Sequence, residues 1–203
     1  MDKLEEFPTY NAEISAGSLM LKESRIIAKL LLNGADQKQW HRAIIVNNIL
    51  QKKAPSSAKR QSKLLRNRLE LMPAELWRMV IDGSKEMATQ ALLAAAIKHS
   101  RLLGDFMDKI VRQHHKTFNN HLTVRDWTAF LSECEHRDFT VSSWSESTKK
   151  KLGQVVFRIL AEAKYLDNTR SLILIPVRVI PEVHSLLSKT KEDYVLRCMK
   201  VSK

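Results

Sequence analysis

Apolar residues recur along most of this chain with the 3.6-residue spacing of amphipathic helices, and the pattern breaks at Gly, Pro, Asp and Asn. Leu19, Ile26, Ile27, Leu30 and Leu31 mark one face from Ser18 to Asn33-Gly34, where glycine supplies the left-handed residue that closes a helix. Asp36 predicts the cap of a second helix carrying Trp40, Ile44, Ile45 and Ile49. Pro55-Ser56-Ser57 starts a third, running to about Met72, and Pro73 suits the first position of a fourth, Pro73 to Ile81, closed by Asp82-Gly83. Ser84 opens a long helical region to about Lys116, with a break predicted near Leu103-Gly104-Asp105. Its stretch from Ala91 to Ile97 combines apolar character with small residues, as the centre of a core requires.

The polar run Thr117-Phe118-Asn119-Asn120-His121 divides the pattern into residues 1–118, a helical bundle with a leading arm, and 119–203, a smaller helical unit. In the second part, Thr123 with Asp126 and Ser143 with Glu146 have the spacing of capping boxes. They predict helices from Val124 to about His136 and from Ser143 to about Tyr165-Leu166. Residues 171–180, Ser-Leu-Ile-Leu-Ile-Pro-Val-Arg-Val-Ile, form the β-rich segment, which Pro176 confines to an edge strand or a bent pair of short strands. A short helix from Pro181 to about Ser188 and a charged tail complete the chain. The expected class is mainly α, a multi-helical N-terminal bundle followed by a helical unit with a short β element.

Composition narrows the class further. Five Gly and five Pro in 203 residues exclude an all-β sandwich, and two cysteines, Cys134 and Cys198, exclude a disulfide framework and fit a reducing cytoplasm. The longest stretch free of Asp, Glu, Lys and Arg, Met87 to Ile97, falls far short of the roughly 20 residues that span a bilayer, so no membrane partner is expected. No Gly-rich phosphate loop, His-Glu-x-x-His, Gly-x-Ser-x-Gly or Cys-x-x-Cys occurs. The histidines, including His99, His114, His115, His121 and His136, do not share a ligand spacing. The expectation is a protein without catalytic residues, cofactor or metal. Trp40, Trp77, Trp127 and Trp144 fall near helix starts or on apolar faces and read as core anchors.

Charge changes the picture most. The net +12 divides into −3 on the first sixteen residues, which hold Asp2, Glu5, Glu6 and Glu13 against Lys3, and +15 on the remainder. A field of that sign favours a polyanion. On the third helix Lys59, Lys63 and Arg66 share an arc of about 60°, with Arg60 at its edge and Leu65, Leu69 and Met72 opposite. Residues 52–70 hold seven Lys/Arg against Glu70 alone, so the face reads as unneutralised. A solvated helix face, phosphate contacts, and a membrane surface or acidic partner all fit that pattern.

Lys149, Lys150 and Lys151 lie in the first turns of a later helix, where the helix dipole disfavours cations unless an anion is near. Arg158 farther along, with Arg170 and Arg178 beside and within the β segment, completes a parts list like that of a winged-helix domain. Pro176 and the missing Gly or Asn turn stand against a hairpin wing. These ten cations are the candidate contacts to double-stranded DNA. A protein-docking factor without nucleic-acid contact, and RNA binding, are the alternatives.

The chain also resembles the BrxA family of BREX phage-defence systems. The resemblance is carried by the run Tyr10-Asn11-Ala12-Glu13-Ile14-Ser15-Ala16-Gly17-Ser18-Leu19 with Glu23-Ser24-Arg25, and by Leu160-Ala161-Glu162-Ala163-Lys164-Tyr165-Leu166 with Ile175-Pro176-Val177-Arg178-Val179-Ile180-Pro181. It implies a cytoplasmic, mainly helical component of a bacterial defence locus that methylates host DNA and blocks phage replication. No catalytic activity is assigned to this component. It further implies a NusB-like helical fold, a DNA-binding role and contact with other BREX components. None of its motifs specifies a DNA contact residue by residue.

Overall fold

The structure, a computed structural model, describes residues 10–202. A 3-10 turn at Glu13–Ala16 leads into α1 (Leu21–Leu32) and α2 (Gln37–His41), which a π-helical turn continues over Arg42–Val46. There follow α3 (Pro55–Glu70), α4 (Ala74–Asp82), α5 (Lys85–His99) and α6 (Arg101–Phe106), then a second π-helical turn at Met107–Val111 and α7 (Arg112–Lys116). The remaining helices are α8 (Val124–Glu135), α9 (Phe139–Ser142), α10 (Glu146–Glu162), α11 (Pro181–Lys189) and α12 (Asp193–Met199). The mainly helical class holds. The acidic residues Asp2, Glu5 and Glu6 lie outside the described residues.

α5 is apolar all round because it is surrounded: α1, α3, α4 and α12 pack on it, and every residue from Ala91 to Ile97 is buried. Alanines at 91, 94, 95 and 96 let those neighbours approach closely. Phe106 extends the core toward α8 and α10 through edge-on contacts with Trp127, Phe130 and Phe157 at 5.3, 5.3 and 6.2 Å. Each such pair is worth about 0.5–1.5 kcal/mol beyond its buried area.

The segments that carry the family resemblance are fastened by long-range hydrogen bonds. Arg68, 3% exposed, crosses from α3 to donate to the carbonyls of Ser18 (2.7 Å) and Gly17 (3.1 Å). Glu162 at the end of α10 accepts from Ser18 Oγ (2.7 Å) and Leu19 N (2.8 Å). Burial lowers the Arg68 guanidinium to about 10 while Glu162 acts in the opposite direction, so Arg68 stays charged at neutral pH. Tyr10 and Tyr194 each donate to one oxygen of the buried Asp105, at 2.8 and 2.7 Å, and so tie the leading segment and α12 to α6. Near the other end of the chain, Gln90 on α5 holds the carbonyl of Arg178 and the amide of Ile180.

Several local expectations are corrected. Asp36 and Thr123 do cap, each in a reciprocal box with the residue three positions on. The cap of α10, however, is Ser145, which accepts from Thr148 N, and not Ser143. The break in the long helical region falls at Ser100, whose extended backbone caps α6, and the chain stays helical through Gly104. Gly104 serves packing: a Cβ there would lie 2.3 Å from the Tyr194 hydroxyl. The charged tail contains α12, whose Val195, Cys198 and Met199 complete the core beneath α5. Residues 171–180 form no strand ladder; only isolated antiparallel bridges join His121 to Ile173 and Leu166 to Leu174.

Candidate nucleic-acid interface

α8 and α10 lie antiparallel, with Trp127 against Gly153 at one level and Glu135 bonded to Lys149 at another. The approach depends on glycine, since a Cβ at 153 would fall 2.7 Å from the indole. Trp127 Nε1 donates to the Lys149 carbonyl at 3.1 Å, which satisfies the one polar atom of a ring only 2% exposed. Between the helices runs an open groove of about 870 Å³. Trp127, Leu131, Phe157 and Leu172 form its floor, and Lys149, Lys150, Arg158 and Arg170 stand on its rim with Glu135 and Glu146.

Arg170 reaches this groove because the chain after α10 is pinned on two sides. Leu122 N donates to Leu172 O (3.0 Å) and Leu174 N to Asn120 O (2.7 Å), while Ile175 N donates to Tyr165 O and Asp167 N to Ile173 O, both at 3.0 Å. Residues 173–175 therefore run as a short segment between two others, entered through Leu172, whose backbone is left-handed (φ 55°). Proline at 176 has no N–H to continue the pairing.

The predicted contact residues sort by what they already bind. Lys149 is held by Glu135 (2.7 Å) and Glu146 (3.0 Å), which raise its pKa and neutralise it. Lys150, Arg158 and Arg170 are exposed, and no described carboxylate lies within ion-pair distance of them. Lys151 is exposed on α10 but outside the groove lining, and Arg178 is exposed on the extended segment held by Gln90 on α5.

On α3, Lys59, Arg60 and Lys63 are exposed and free of described carboxylates, as is Lys53 in the segment before it. The unneutralised reading of that face is corrected in part. Arg66 pairs with Glu70 four residues on at 2.6 Å and stacks over Trp40 at 4.7 Å, Lys52 pairs with Glu23, and Arg68 is inside. The structure thus brings Lys150, Arg158 and Arg170 to one concave feature and leaves Lys59, Arg60 and Lys63 along one helix.

Sequence reasoning does not find the floor of this groove. Trp127 reads as a core anchor, and its pairing with Gly153 has no local signal, because the two are 26 positions apart.

The described residues contain no group of three or more His, Cys, Asp and Glu placed to hold a metal. Both thiols are buried; desolvation pushes Cys134 up to about 11 and Cys198 up to about 12, which keeps them protonated and unreactive at neutral pH. No helix among the described residues is long and apolar enough to cross a membrane.

A sequence-family model described as BrxA matches residues 8–191. A protein of Paramagnetospirillum magneticum named BREX protein BrxA is 50% identical over 96% of this chain and 98% of its own. One of the same name from Escherichia coli O9:H4 is 32% identical over 87% of this chain and 83% of its own. The crystal structure of an uncharacterized protein from Magnetospirillum magneticum, 49% identical, superposes with a TM-score of 0.90 over 96% of this chain and 100% of that one.

Proposed function

The chain belongs to the BrxA family, and on that premise we propose that it is a non-catalytic accessory component of a BREX phage-defence system that holds duplex DNA by its phosphates. The observation that carries the DNA reading is the convergence of Lys150, Arg158 and Arg170, from two separate elements, on one groove without carboxylate partners among the described residues. Three free cations carried on ordered elements match a phosphate backbone and read no base edges, so binding is tolerant of sequence. Lys59, Arg60 and Lys63 supply further contacts along α3. The place of action is the cytoplasm, where the DNA is.

The test is duplex affinity measured by gel shift or anisotropy across a salt series. Binding should weaken steeply as salt rises, and Lys150→Glu/Arg158→Glu/Arg170→Glu should abolish it while circular dichroism shows an unchanged fold. A salt-independent affinity, or a triple variant that binds like the wild type, rejects the reading. Co-purification with another defence component through high salt, with no duplex binding, would assign the groove to a protein partner.

A further inference from the structure

Among the described residues, four helices end in the same hydrogen-bonded cap, and one cap is built from an unexpected residue. After α1, Gly34 N bonds Leu31 O and Ala35 N bonds Leu30 O; after α10, Lys164 and Tyr165 repeat the arrangement, and after α11, Lys191 and Glu192 do so again. After α7, Phe118 N bonds His115 O (3.4 Å) and Asn119 N bonds His114 O (2.9 Å). The first residue of each pair is left-handed, with φ of 63° at Gly34, 67° at Lys164, 57° at Lys191 and 56° at Phe118. Glycine is the usual occupant because a Cβ is strained there. Lysine at least leaves its ammonium in water, whereas Phe118 holds a whole aromatic ring 94% exposed. The fold gains nothing from that ring: it is strained at the backbone and covers no apolar surface.

The turn that presents it is hydrogen-bonded on both sides. Thr117 Oγ1 donates to Gln113 O at 3.0 Å, Asn119 Oδ1 accepts from His121 N at 3.1 Å, and Asn120 is pinned by Leu174. The segment itself is cationic, since no Asp or Glu occurs between Asp108 and Asp126, and Lys116 and Arg125 are exposed without an ion pair to a described carboxylate, while Asp126 is turned to His114 at 3.3 Å. The same short segment leads to the groove: Leu122 pairs with Leu172, and the 63% exposed Val124 lines the groove with Arg170. Six residues of chain span at most about 20 Å, so Phe118 and the groove lie within about six base-pair rises of each other on one duplex.

We infer that Phe118 is an apolar wedge that enters a base step of duplex DNA held by the adjacent cations, partly unstacking and unwinding it. Charge selects this partner. A preformed, exposed aromatic ring that follows Lys116 and precedes a segment leading to Arg125 and the Arg170 groove has the composition of side chains that pry base pairs apart, and an acidic ligand without a stacking surface would leave the ring in water. The inference rests on the duplex-binding reading above.

The experiment relaxes closed-circular plasmid with a topoisomerase at saturating protein and reads the topoisomer distribution, alongside permanganate reactivity of unstacked thymines. The wild type should shift the distribution and expose thymines. Phe118→Ala and Phe118→Gly should bind within about 3-fold of wild type yet lose both signals, and Phe118→Trp should keep them. Glycine suits the left-handed backbone, so the Phe118→Gly variant folds at least as well and guards against loss by misfolding. Salt-dependent binding by the wild type without a topoisomer shift overturns the wedge alone. Absence of any duplex binding overturns the functional reading and the wedge together. A Phe118→Ala variant that retains the shift while losing a co-purifying protein places the ring in a protein pocket and also overturns it.

Discussion

α3 and the α8–α10 groove are both rich in basic residues, but their charges are in different states. Of the seven Lys/Arg between positions 52 and 70, Arg68 is a core fastener, and Lys52 and Arg66 are paired with Glu23 and Glu70. Lys53, Lys59, Arg60 and Lys63 stay free of described carboxylates, the last three along the outside of a single helix. At the groove only Lys149 is neutralised, while Lys150, Arg158 and Arg170 converge from α10 and the segment after it above an apolar floor. A charge run on one helix overstates what a ligand can meet. Cations separated in sequence and brought together by packing understate it.

The largest effect should fall within α3 itself. Arg68→Met strips the Ser18 and Gly17 carbonyls and the Glu162 carboxylate of a buried charge partner, and should cost about 3 kcal/mol in urea unfolding. Lys63→Met, five positions away on the outer face, should stay within about 0.5 kcal/mol. Equal losses would mean that the division of α3 into fastener and contact residues is wrong.

The next prediction weighs the two surfaces against each other. Neutralising Lys150, Arg158 and Arg170 with glutamine should reduce the slope of log affinity against log salt by about 2.7, at about 0.9 for each phosphate no longer neutralised. Lys59→Gln with Lys63→Gln should reduce it by about 1.8. A larger reduction from the α3 pair would invert the assignment of the principal binding surface.

Acid should destabilise the scaffold that carries both regions. Burial, then the charge of neighbouring His114, holds His115 below the usual histidine value of 6.5. Burial and Arg68 likewise hold His99 down, against the pull of Glu13, so its 3.0 Å contact with Glu13 is that of a neutral ring. Groups whose folded pKa is depressed take up protons preferentially when unfolded. Their stabilisation is complete above about 6.5 and is lost as pH falls below it. The melting temperature should drop between pH 7.5 and pH 5.5, and His115→Gln should reduce the drop; a flat profile would contradict the assignment.

The smallest effect belongs to Lys149. Already bonded to Glu135 and Glu146, it should change duplex affinity less than 2-fold when replaced by alanine, whereas Lys150→Ala should weaken it several-fold. Parity between the two would show that the ion pairs open to admit phosphate.

Much of the scaffold is legible in the sequence. The caps at Asp36 and Thr123, the end of α1 at Gly34 and the buried alanine-rich centre of α5 all follow from interactions within a few residues of one another. The misread elements have long-range causes. Gly104 looks like a breaker until Tyr194 packs on it, and α12 looks like a charged tail until its apolar side meets α5. The β-rich run is divided among partners at 120–122 and 165–167, which its own composition cannot name.

Sequence by itself determined the helical class, the family and the sign of the field, because periodicity, motif and net charge are properties of the chain. Which cations are free, which glycines are contact surfaces, and where an aromatic ring is left in water were decided only by the tertiary structure. Many of these depend on a neighbour tens of residues away, as Gly104 does on Tyr194 and Lys52 on Glu23, and desolvation and pairing exist only once the chain has folded.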